Sequence, residues 1–178
     1  MALRSPEELD ADAIEILKGN DLGGFTIPTK GLYPYQFNWD SAFVALGFAT
    51  FDRDRAWTEL ETLLDAQWSN GMVAHIVFRQ NDPDYFPGPD VWRTPVDPPT
   101  SGHSQPPVVA SVVRQIFEMG DRSADLPRLK AIFPKLMAWH RWFHSARDPD
   151  GQGIIGITHP WESGRDNAPD WDSGMAAV

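Results

Sequence analysis

The sequence predicts an all-α domain. Most apolar residues recur at helical spacing, the candidate helix ends carry recognisable start and stop residues, and signals for strands are few. The chain has 178 residues, of which 42% are hydrophobic, enough to build one domain around a core. Residues 154–157, Ile-Ile-Gly-Ile, form a candidate for a short strand.

Three helices are predicted in the first third of the chain. The first starts with Ser5 as N-cap and Pro6 at its first position, and it ends at Gly19 and Asn20. A second helix is expected to begin near Asp40, which can serve as its cap. A third helix follows, and either Asp52 or Asp54 is suited to cap it.

The middle of the chain changes character before the helical pattern returns. Residues 69–104 are rich in proline and predict a long loop, which we expect to be ordered and functional because it carries many aromatic side chains. Apolar stripes at residues 109–116 and 129–143 predict two further helical regions. Pro134 predicts a kink, or two abutting helices, within the second region.

Composition excludes several classes of function. The net charge of −10 argues against binding to nucleic acid or to an anionic membrane, because both depend on Lys and Arg contacts. The chain has no cysteine, so it has no disulfide, thiolate zinc site or cysteine nucleophile. No signal peptide or membrane-spanning run is visible, which favours a cytoplasmic location. We expect neither a cofactor nor a metal site, since no phosphate-binding glycine pattern or convincing ligand set occurs.

The most informative stretch is residues 159–167, His-Pro-Trp-Glu-Ser-Gly-Arg-Asp-Asn. A general acid needs a carboxyl group that stays protonated near neutral pH, in apolar surroundings or beside another carboxylate. Trp161 supplies an apolar wall and Glu162 a neighbouring charge, while Arg165 is suited to orient a carboxylate or hold a substrate oxygen. The alternative is a polar loop with a local pair between arginine and carboxylate.

Residues 33–40, Tyr-Pro-Tyr-Gln-Phe-Asn-Trp-Asp, form a second candidate site. Aromatic faces stack on sugar rings, and amides and carboxylates bind hydroxyl groups, so this composition is typical of a sugar-binding surface. The alternative is that Asp40 caps a helix and the aromatic rings fill the core. Residues 67–75, 85–92 and 100–107 also combine polar and aromatic side chains near helix ends, and each is weak evidence alone.

Five of these segments together resemble a known family. They are Asn-Trp-Asp-Ser-Ala-Phe at 38–43, Gln-Trp-Ser-Asn-Gly-Met at 67–72, Tyr-Phe-Pro-Gly-Pro at 85–89, Gln-Pro-Pro at 105–107 and Trp-Glu-Ser-Gly-Arg-Asp-Asn at 161–167. In this order they resemble the bacterial mannosylglycerate and glucosylglycerate hydrolases of glycoside hydrolase family 63, which are related to the trehalases. The resemblance runs from about residue 31 to the end of the chain.

The resemblance implies a fold and a set of site residues. The family fold is an (α/α)6 toroid around a central pocket, and its members are inverting α-glycosidases. Asp166 is implied to be the general acid. The residues implied to bind the sugar are Trp39, Asp40, Gln105, Trp161 and Arg165, together with Tyr35, Trp68 and His75.

Glu162 requires a separate argument, because it lies four residues before Asp166. In inverting enzymes the acid and the base stand about 6.5–9.5 Å apart on opposite sides of the sugar. If the two carboxylates sit on one helix turn, they lie on the same side of the sugar, so Glu162 is not the base. We expect it either to raise the proton affinity of Asp166 or to bind a sugar hydroxyl.

The length of the chain limits what it is expected to do alone. A complete toroid is longer, and the family's base is a glutamate well downstream of the acid. We therefore expect residues 1–178 to be the N-terminal portion of a single, truncated (α/α)6 catalytic domain that is inactive in isolation. The alternatives are a sugar-binding remnant without catalysis, an enzyme of the trehalase or α-glucosidase type, and an unrelated helical interaction domain.

The expected partner is a small carbohydrate, such as mannosylglycerate or glucosylglycerate. The sequence does not decide which glycoside is cleaved, and it leaves the oligomeric state open. A glycerate carboxylate needs a cation or backbone donors, for which Arg79, Arg93 and Arg165 are candidates. A part of the enzyme beyond this chain is the other possible source.

Overall fold

The computed structural model describes residues 4–176, and within that range the protein is mainly helical. Its helices are α1 Pro6–Asn20, α2 Asn38–Phe48, α3 Arg53–Asp65, α4 Pro89–Trp92, α5 Val109–Met119, α6 Arg122–Arg147 and α7 Asp172–Met175. Two 3-10 helices cover Pro160–Ser163 and Pro169–Trp171. The strands β1, Gln36–Phe37, and β2, Ile76–Val77, complete the set.

The first and third predicted helices begin where the sequence indicated. At the start of α1, the Ser5 hydroxyl accepts the backbone N–H of Glu8 at 3.2 Å, and the Glu8 carboxylate accepts that of Ser5 at 2.8 Å. This reciprocal arrangement satisfies two donors that the helix itself leaves free. Asp52, rather than Asp54, caps α3 by accepting the backbone N–H of Arg55 at 3.0 Å.

The start of α2 differs from the prediction. The helix begins at Asn38, so Asp40 lies inside its first turn and does not cap it. The side chain of Gln105 takes that role from outside the helix, because its Oε1 accepts the backbone N–H of Trp39 at 2.9 Å. A cap supplied from 66 residues away cannot be read from local sequence. It leaves the Asp40 carboxylate available for other contacts.

The region around Pro134 is one continuous helix, α6, which also contains Pro127. The alternative of two abutting helices is therefore wrong, and a kink within one helix stays a prediction. Ile132 and Leu136, on either side of Pro134, are both buried in the core. Their packing anchors both turns around the missing backbone N–H, so the local cost of proline is offset by tertiary contacts.

The long loop at residues 69–104 is held to the rest of the domain by a small antiparallel pairing of β1 with β2. Gln36 lies opposite Val77, and Phe37 lies opposite Ile76. The loop also contains the short helix α4. In contrast, residues 154–157 form no strand, and Ile154 is 73% exposed, because this segment has no ladder partner within residues 4–176.

The main core lies between α2, α3, α5 and α6. Its largest fully buried side chains are Trp57, Trp139, Phe48, Leu60, Leu63, Leu64 and Ile116. A smaller cluster of Tyr35, Phe37, Ile76 and Phe78 packs around the two strands. The described helices include none that is long and apolar enough to cross a membrane, and the cytoplasmic location stays a prediction.

One buried carboxylate ties the start of β1 and α2 to α3. Glu59 is fully buried and accepts hydrogen bonds from Thr26 Oγ1 at 2.9 Å, Ser41 Oγ at 2.5 Å and Arg55 Nη2 at 2.7 Å. The side-chain amide of Gln36 donates to it at 3.3 Å. Because these partners come from separate segments, the Glu59 carboxylate fixes the position of the strand–helix junction.

Candidate active site

A cleft of about 860 Å³ lies above the junction of β1 and α2. Its walls come from the loop at residues 28–34, the amino end of α2, the loop at 82–87 and the segment at 161–167. Six of the side chains that the sequence proposed for catalysis or sugar binding line it together. They are Trp39, Asp40, His75, Gln105, Trp161 and Asp166.

Asp40 lies on the α2 wall and is half-buried. Burial raises the pKa of its carboxyl above the ordinary value, although its own backbone N–H partly opposes this effect. No side chain within residues 4–176 donates a hydrogen bond to this carboxylate, so its oxygens are available to a ligand in the cleft.

Trp161 also lines the cleft and is packed against histidines. Its ring centroid lies 4.9 Å from that of His75 and 4.8 Å from that of His159. Burial, followed by the nearby His103 and His159, lowers the pKa of His75 to about 3. His75 is therefore a neutral imidazole on the cleft wall, able to donate from one nitrogen and accept at the other.

A sharp turn at Gly164 brings the following residues to the cleft. Gly164 has φ of +66° and ends the first 3-10 helix by donating its N–H to the Trp161 carbonyl. The chain then passes close to Trp39 and places Asp166 and Asn167 at the cleft. Asp166 is exposed, and within the described residues its carboxylate takes part in no hydrogen bond or ion pair. The carboxylate is accessible to a ligand in the cleft, but it lacks the apolar surroundings that the sequence predicted, and the charge of Glu162 is paired with Arg147.

Glu162 does not line the cleft, because its side chain points into the protein and is fully buried. It forms an ion pair with Arg147, with 2.6 Å between Nη2 and Oε1 and 3.0 Å between Nε and Oε2. Burial alone would raise the pKa of Glu162, but Arg147 and the backbone donors at Thr158 and Ser104 outweigh it and lower the pKa to about 2. Glu162 is therefore a carboxylate across the physiological range and has no proton to give.

Two of the proposed aromatic residues are packed away from the cleft. Tyr35 is fully buried and its hydroxyl donates to the carbonyl of Asp82 at 3.0 Å. Trp68 packs against the main core, and its indole N–H donates to Thr100 Oγ1 at 2.9 Å. Both side chains support loops that form or flank the cleft, but neither lines it.

The three arginines considered for a ligand carboxylate also lie outside the cleft. Arg165 is exposed and pairs with Asp170 at 2.8 Å. Arg79 donates to Gln36 Oε1 at 2.7 Å, and Arg93 donates to a backbone carbonyl of α4. Within residues 4–176, no lysine or arginine lines the cleft.

The loop at residues 82–87 contributes acidic groups that the sequence analysis did not single out. Asp82 and Asp84 join Asp40 and Asp166 along the cleft, so its formal charges are all negative. The signal in the sequence was the polar turn Asn-Asp-Pro-Asp at 81–84, directly before an aromatic pair. Among the described residues, no cluster of three or more histidine or acidic side chains is arranged to hold a metal ion.

Comparison with known proteins supplies the family. The model of the mannosylglycerate hydrolase MGH1-like glycoside hydrolase domain matches residues 33–178. The chain belongs to this family. The resemblance inferred from the five motifs, to the mannosylglycerate and glucosylglycerate hydrolases of glycoside hydrolase family 63, is therefore confirmed.

Individual relatives agree with the family match. Mannosylglycerate hydrolase MGH1 of Selaginella moellendorffii is 52% identical over 176 residues, which cover 96% of this chain and 36% of that protein. Glucosylglycerate hydrolase of Mycolicibacterium hassiacum is 44% identical over 187 residues, covering 98% of this chain and 42% of that protein. This chain therefore spans well under half the length of these relatives.

A solved structure of a family member supports the fold. The family 63 mannosylglycerate hydrolase from Thermus thermophilus, in complex with Tris and D-glycerate, superposes with a TM-score of 0.89 at 52% identity. The match covers 94% of this chain and 40% of that one. The helix-rich architecture described above is thus the architecture of the corresponding part of a family 63 hydrolase.

Proposed function

We propose that this chain is the N-terminal portion of an (α/α)6 catalytic domain in an inverting α-glycosidase. Its substrate is a small α-glycoside such as mannosylglycerate or glucosylglycerate. The observation that carries the proposal is the meeting of Trp39, Asp40 and Gln105 with Trp161 and Asp166 on one cleft. Trp39 and Asp40 lie more than a hundred positions before Trp161 and Asp166 in the chain, and the family relationship gives their meeting a chemical meaning.

In this proposal, Asp166 is the general acid that protonates the glycosidic oxygen as the bond breaks. Its place in the family motif and its unpaired carboxylate at the cleft support that role, because the group can reach a bound substrate. Glu162 is the other carboxylate of the motif, and its pairing with Arg147 removes it from competition for the role. The base that activates water on the far side of the sugar comes from a glutamate outside residues 4–176.

The remaining cleft residues bind the sugar. Trp39 and Trp161 offer aromatic faces to the ring, and the Asp40 carboxylate accepts hydrogen bonds from hydroxyl groups. Gln105 uses its Oε1 to cap α2, so its amide NH2 is the group free for a ligand. His75 adds a neutral donor and acceptor beside Trp161.

The substrate's glycerate carboxylate needs a cation or backbone donors, and no lysine or arginine of residues 4–176 lines the cleft. Since Arg79, Arg93 and Arg165 are each engaged elsewhere, we propose that this cation also comes from outside residues 4–176. The longer relatives are consistent with that source.

A second candidate function is sugar binding without turnover by this chain. The observation that favours it is that the described cleft is lined by aspartates but by no glutamate. In that case the 178-residue chain binds the glycoside and does not cleave it. An activity of the trehalase or α-glucosidase type is distinguished by comparing the binding of trehalose with that of mannosylglycerate and glucosylglycerate.

The acid role is tested with Asp166→Asn in the longest form of the enzyme that cleaves mannosylglycerate. We expect kcat to fall by about 10²–10⁴-fold with little change in substrate binding, since this is the usual contribution of general acid catalysis. On an activated glycoside whose leaving group needs no proton, the loss should be much smaller. Asp170→Asn, an exposed site nearby, is the matched control.

Two results would contradict this assignment. Equal losses on the natural and the activated substrate would remove Asp166 from the acid role. Rapid turnover by the 178-residue chain alone would show that the base lies within it.

A further inference from the structure

The buried carboxylate of Glu162 has more partners than an ordinary surface ion pair. Besides Arg147, it accepts the backbone N–H of Thr158 at 3.0 Å, the Thr158 hydroxyl at 3.1 Å and the backbone N–H of Ser104 at 3.3 Å. Its lone pairs are thus used by protein groups, and its side chain is 0% exposed. No acceptor capacity is left for a substrate hydroxyl.

The partners of Glu162 come from three separate segments. Arg147 is the last residue of α6, Thr158 precedes the first 3-10 helix, and Ser104 ends the long loop. Glu162 itself lies between Trp161 and Asp166, both of which line the cleft. The carboxylate therefore fastens the segment that carries these two residues to the body of the domain.

Ser104 is a rigid attachment point for this contact. Its hydroxyl donates to the Val73 carbonyl at 2.7 Å and accepts the indole N–H of Trp139 at 3.0 Å. Ser104 and Trp139 are fully buried, and Trp139 is part of the main core. The position of the Ser104 backbone N–H is consequently set by the core and not by the exposed loop.

The residue after Ser104 links this contact to the start of α2. Gln105 caps α2 through the backbone N–H of Trp39 at 2.9 Å, and Asp40 follows Trp39. One path of short contacts therefore runs from Arg147 through Glu162, Ser104 and Gln105 to the α2 wall.

We infer that Glu162 is a positioning residue, which sets the placement of Trp161 and Asp166 relative to Trp39 and Asp40 through Ser104 and Gln105. It neither binds the sugar nor exchanges a proton with it. This inference rests on the proposed function for its consequence in catalysis, but the coupling between the two walls is a property of the chain itself.

The test uses Glu162→Gln, which keeps the shape of the side chain and removes its charge. The chain is labelled with 5-fluorotryptophan and followed by fluorine NMR, with its eight tryptophan signals assigned by single substitutions such as Trp161→Phe. Amide hydrogen exchange is measured in parallel. The control is Ile116→Val, which destabilises the buried core away from the cleft without touching this path.

We expect Glu162→Gln to shift or broaden the signals of Trp161 and Trp39 while that of Trp57 stays in place. Amide exchange at Thr158 should accelerate by about tenfold or more relative to Ile116→Val, because its N–H loses a charged acceptor. Exchange at Trp39 should accelerate as well, because its acceptor Gln105 follows Ser104 and is no longer held in place. Arg147→Lys keeps the charge but loses the two-pronged contact, and should produce the same pattern more weakly. It carries the test if Glu162→Gln does not fold.

The inference is overturned if the variants change Trp161 alone, or if they behave like Ile116→Val at both walls. A titration of each variant with mannosylglycerate separates the two proposals. A wild-type chain that does not bind the glycoside counts against the second candidate function, sugar binding by this chain alone, while the NMR and exchange results still decide the role of Glu162. Failure of the Asp166→Asn test in the longer enzyme is what counts against the proposed glycosidase. If the wild-type chain binds, Glu162→Gln should bind about tenfold more weakly, because the walls are no longer held together.

Discussion

Gly164 lies directly against the indole ring of Trp39. A Cβ atom on Gly164 would stand 2.6 Å from Trp39 Cζ3 and 2.7 Å from Cη2, closer than real contacts allow. Gly164 also has φ of +66°, a conformation that glycine adopts without strain. This contact is where the segment carrying Trp161 and Asp166 passes over the amino end of α2.

Gly164→Ala should therefore lower the free energy of unfolding by more than its left-handed backbone conformation alone explains. The matched control is Gly153→Ala, which has φ of +75° but no atom within 4 Å of the added methyl group. Gly153→Ala should destabilise the fold by about 1–2 kcal/mol, the usual cost of a left-handed conformation. Gly164→Ala should exceed that loss in urea unfolding and also displace Trp39, weakening glycoside binding. Equal losses in both variants would show that the contact is not tight in solution.

Acid should destabilise the fold through His75. Burial holds the pKa of folded His75 at about 3, against 6.5 in the unfolded chain. Between these two values the unfolded state binds a proton that the folded state does not bind. The free energy of unfolding is therefore highest above pH 6.5 and falls as the pH is lowered toward 3. At about pH 4.5–5 the wild type should have lost about 2–3 kcal/mol in its free energy of unfolding through this effect. His75→Phe should abolish that loss, as measured by urea unfolding at several pH values.

Two features make the His75 experiment specific. His103 and His159, whose pKa values burial also lowers, should leave part of the slope in place. His144→Phe, at an exposed site near the end of α6, should leave the slope unchanged. A pH profile of His75→Phe that parallels the wild type would show that folding does not lower the pKa of His75.

The Asp40 carboxylate should destabilise the fold near neutral pH and strengthen the binding of the glycoside. Burial raises the pKa of Asp40, so near neutral pH the charged carboxylate destabilises the folded state. Asp40→Asn should therefore raise the melting temperature near neutral pH, and the gain should vanish in acid. The same change should weaken glycoside binding by about 10–100-fold, since a hydrogen bond to a charged group is lost. Asp10→Asn, at an exposed site on α1, is the control. An equal loss of glycoside binding in that variant would mean that the effect is not local to the cleft.

The buried carboxylate of Glu59 should be among the most sensitive positions for folding. Glu59→Gln leaves the Arg55 guanidinium with a weaker partner in a buried setting, although Asp21 still pairs with it at 2.9 Å. We expect a loss of about 3 kcal/mol in the free energy of unfolding, the scale for breaking a buried ion pair. Glu61→Gln, which removes a partly exposed pair with Arg128, should cost less than about 1 kcal/mol. Similar costs at the two positions would show that Glu59 is not the organising contact.

Local sequence was sufficient to predict the helical class, the starts of α1 and α3, and the family. Ser5 and Asp52 cap their helices through side chains only three residues from the N–H groups they accept, so a short stretch of chain holds the whole interaction. The five motifs are likewise contiguous runs, and their order along the chain was enough to indicate the relationship that the family model confirms.

Which motif residues face the cleft depends on tertiary contacts. Glu162 and Asp166 are four residues apart, yet Glu162 turns inward to Arg147 while Asp166 faces the cleft. Gln105, and not Asp40, caps α2, and the side chains of Tyr35 and Trp68 are hydrogen-bonded to other loops and do not line the cleft. In each case the deciding partner lies between 15 and 66 residues away in the chain. Side-chain direction depends on which hydrogen bonds and apolar contacts folding brings within reach, and such distant contacts leave no mark in the local pattern.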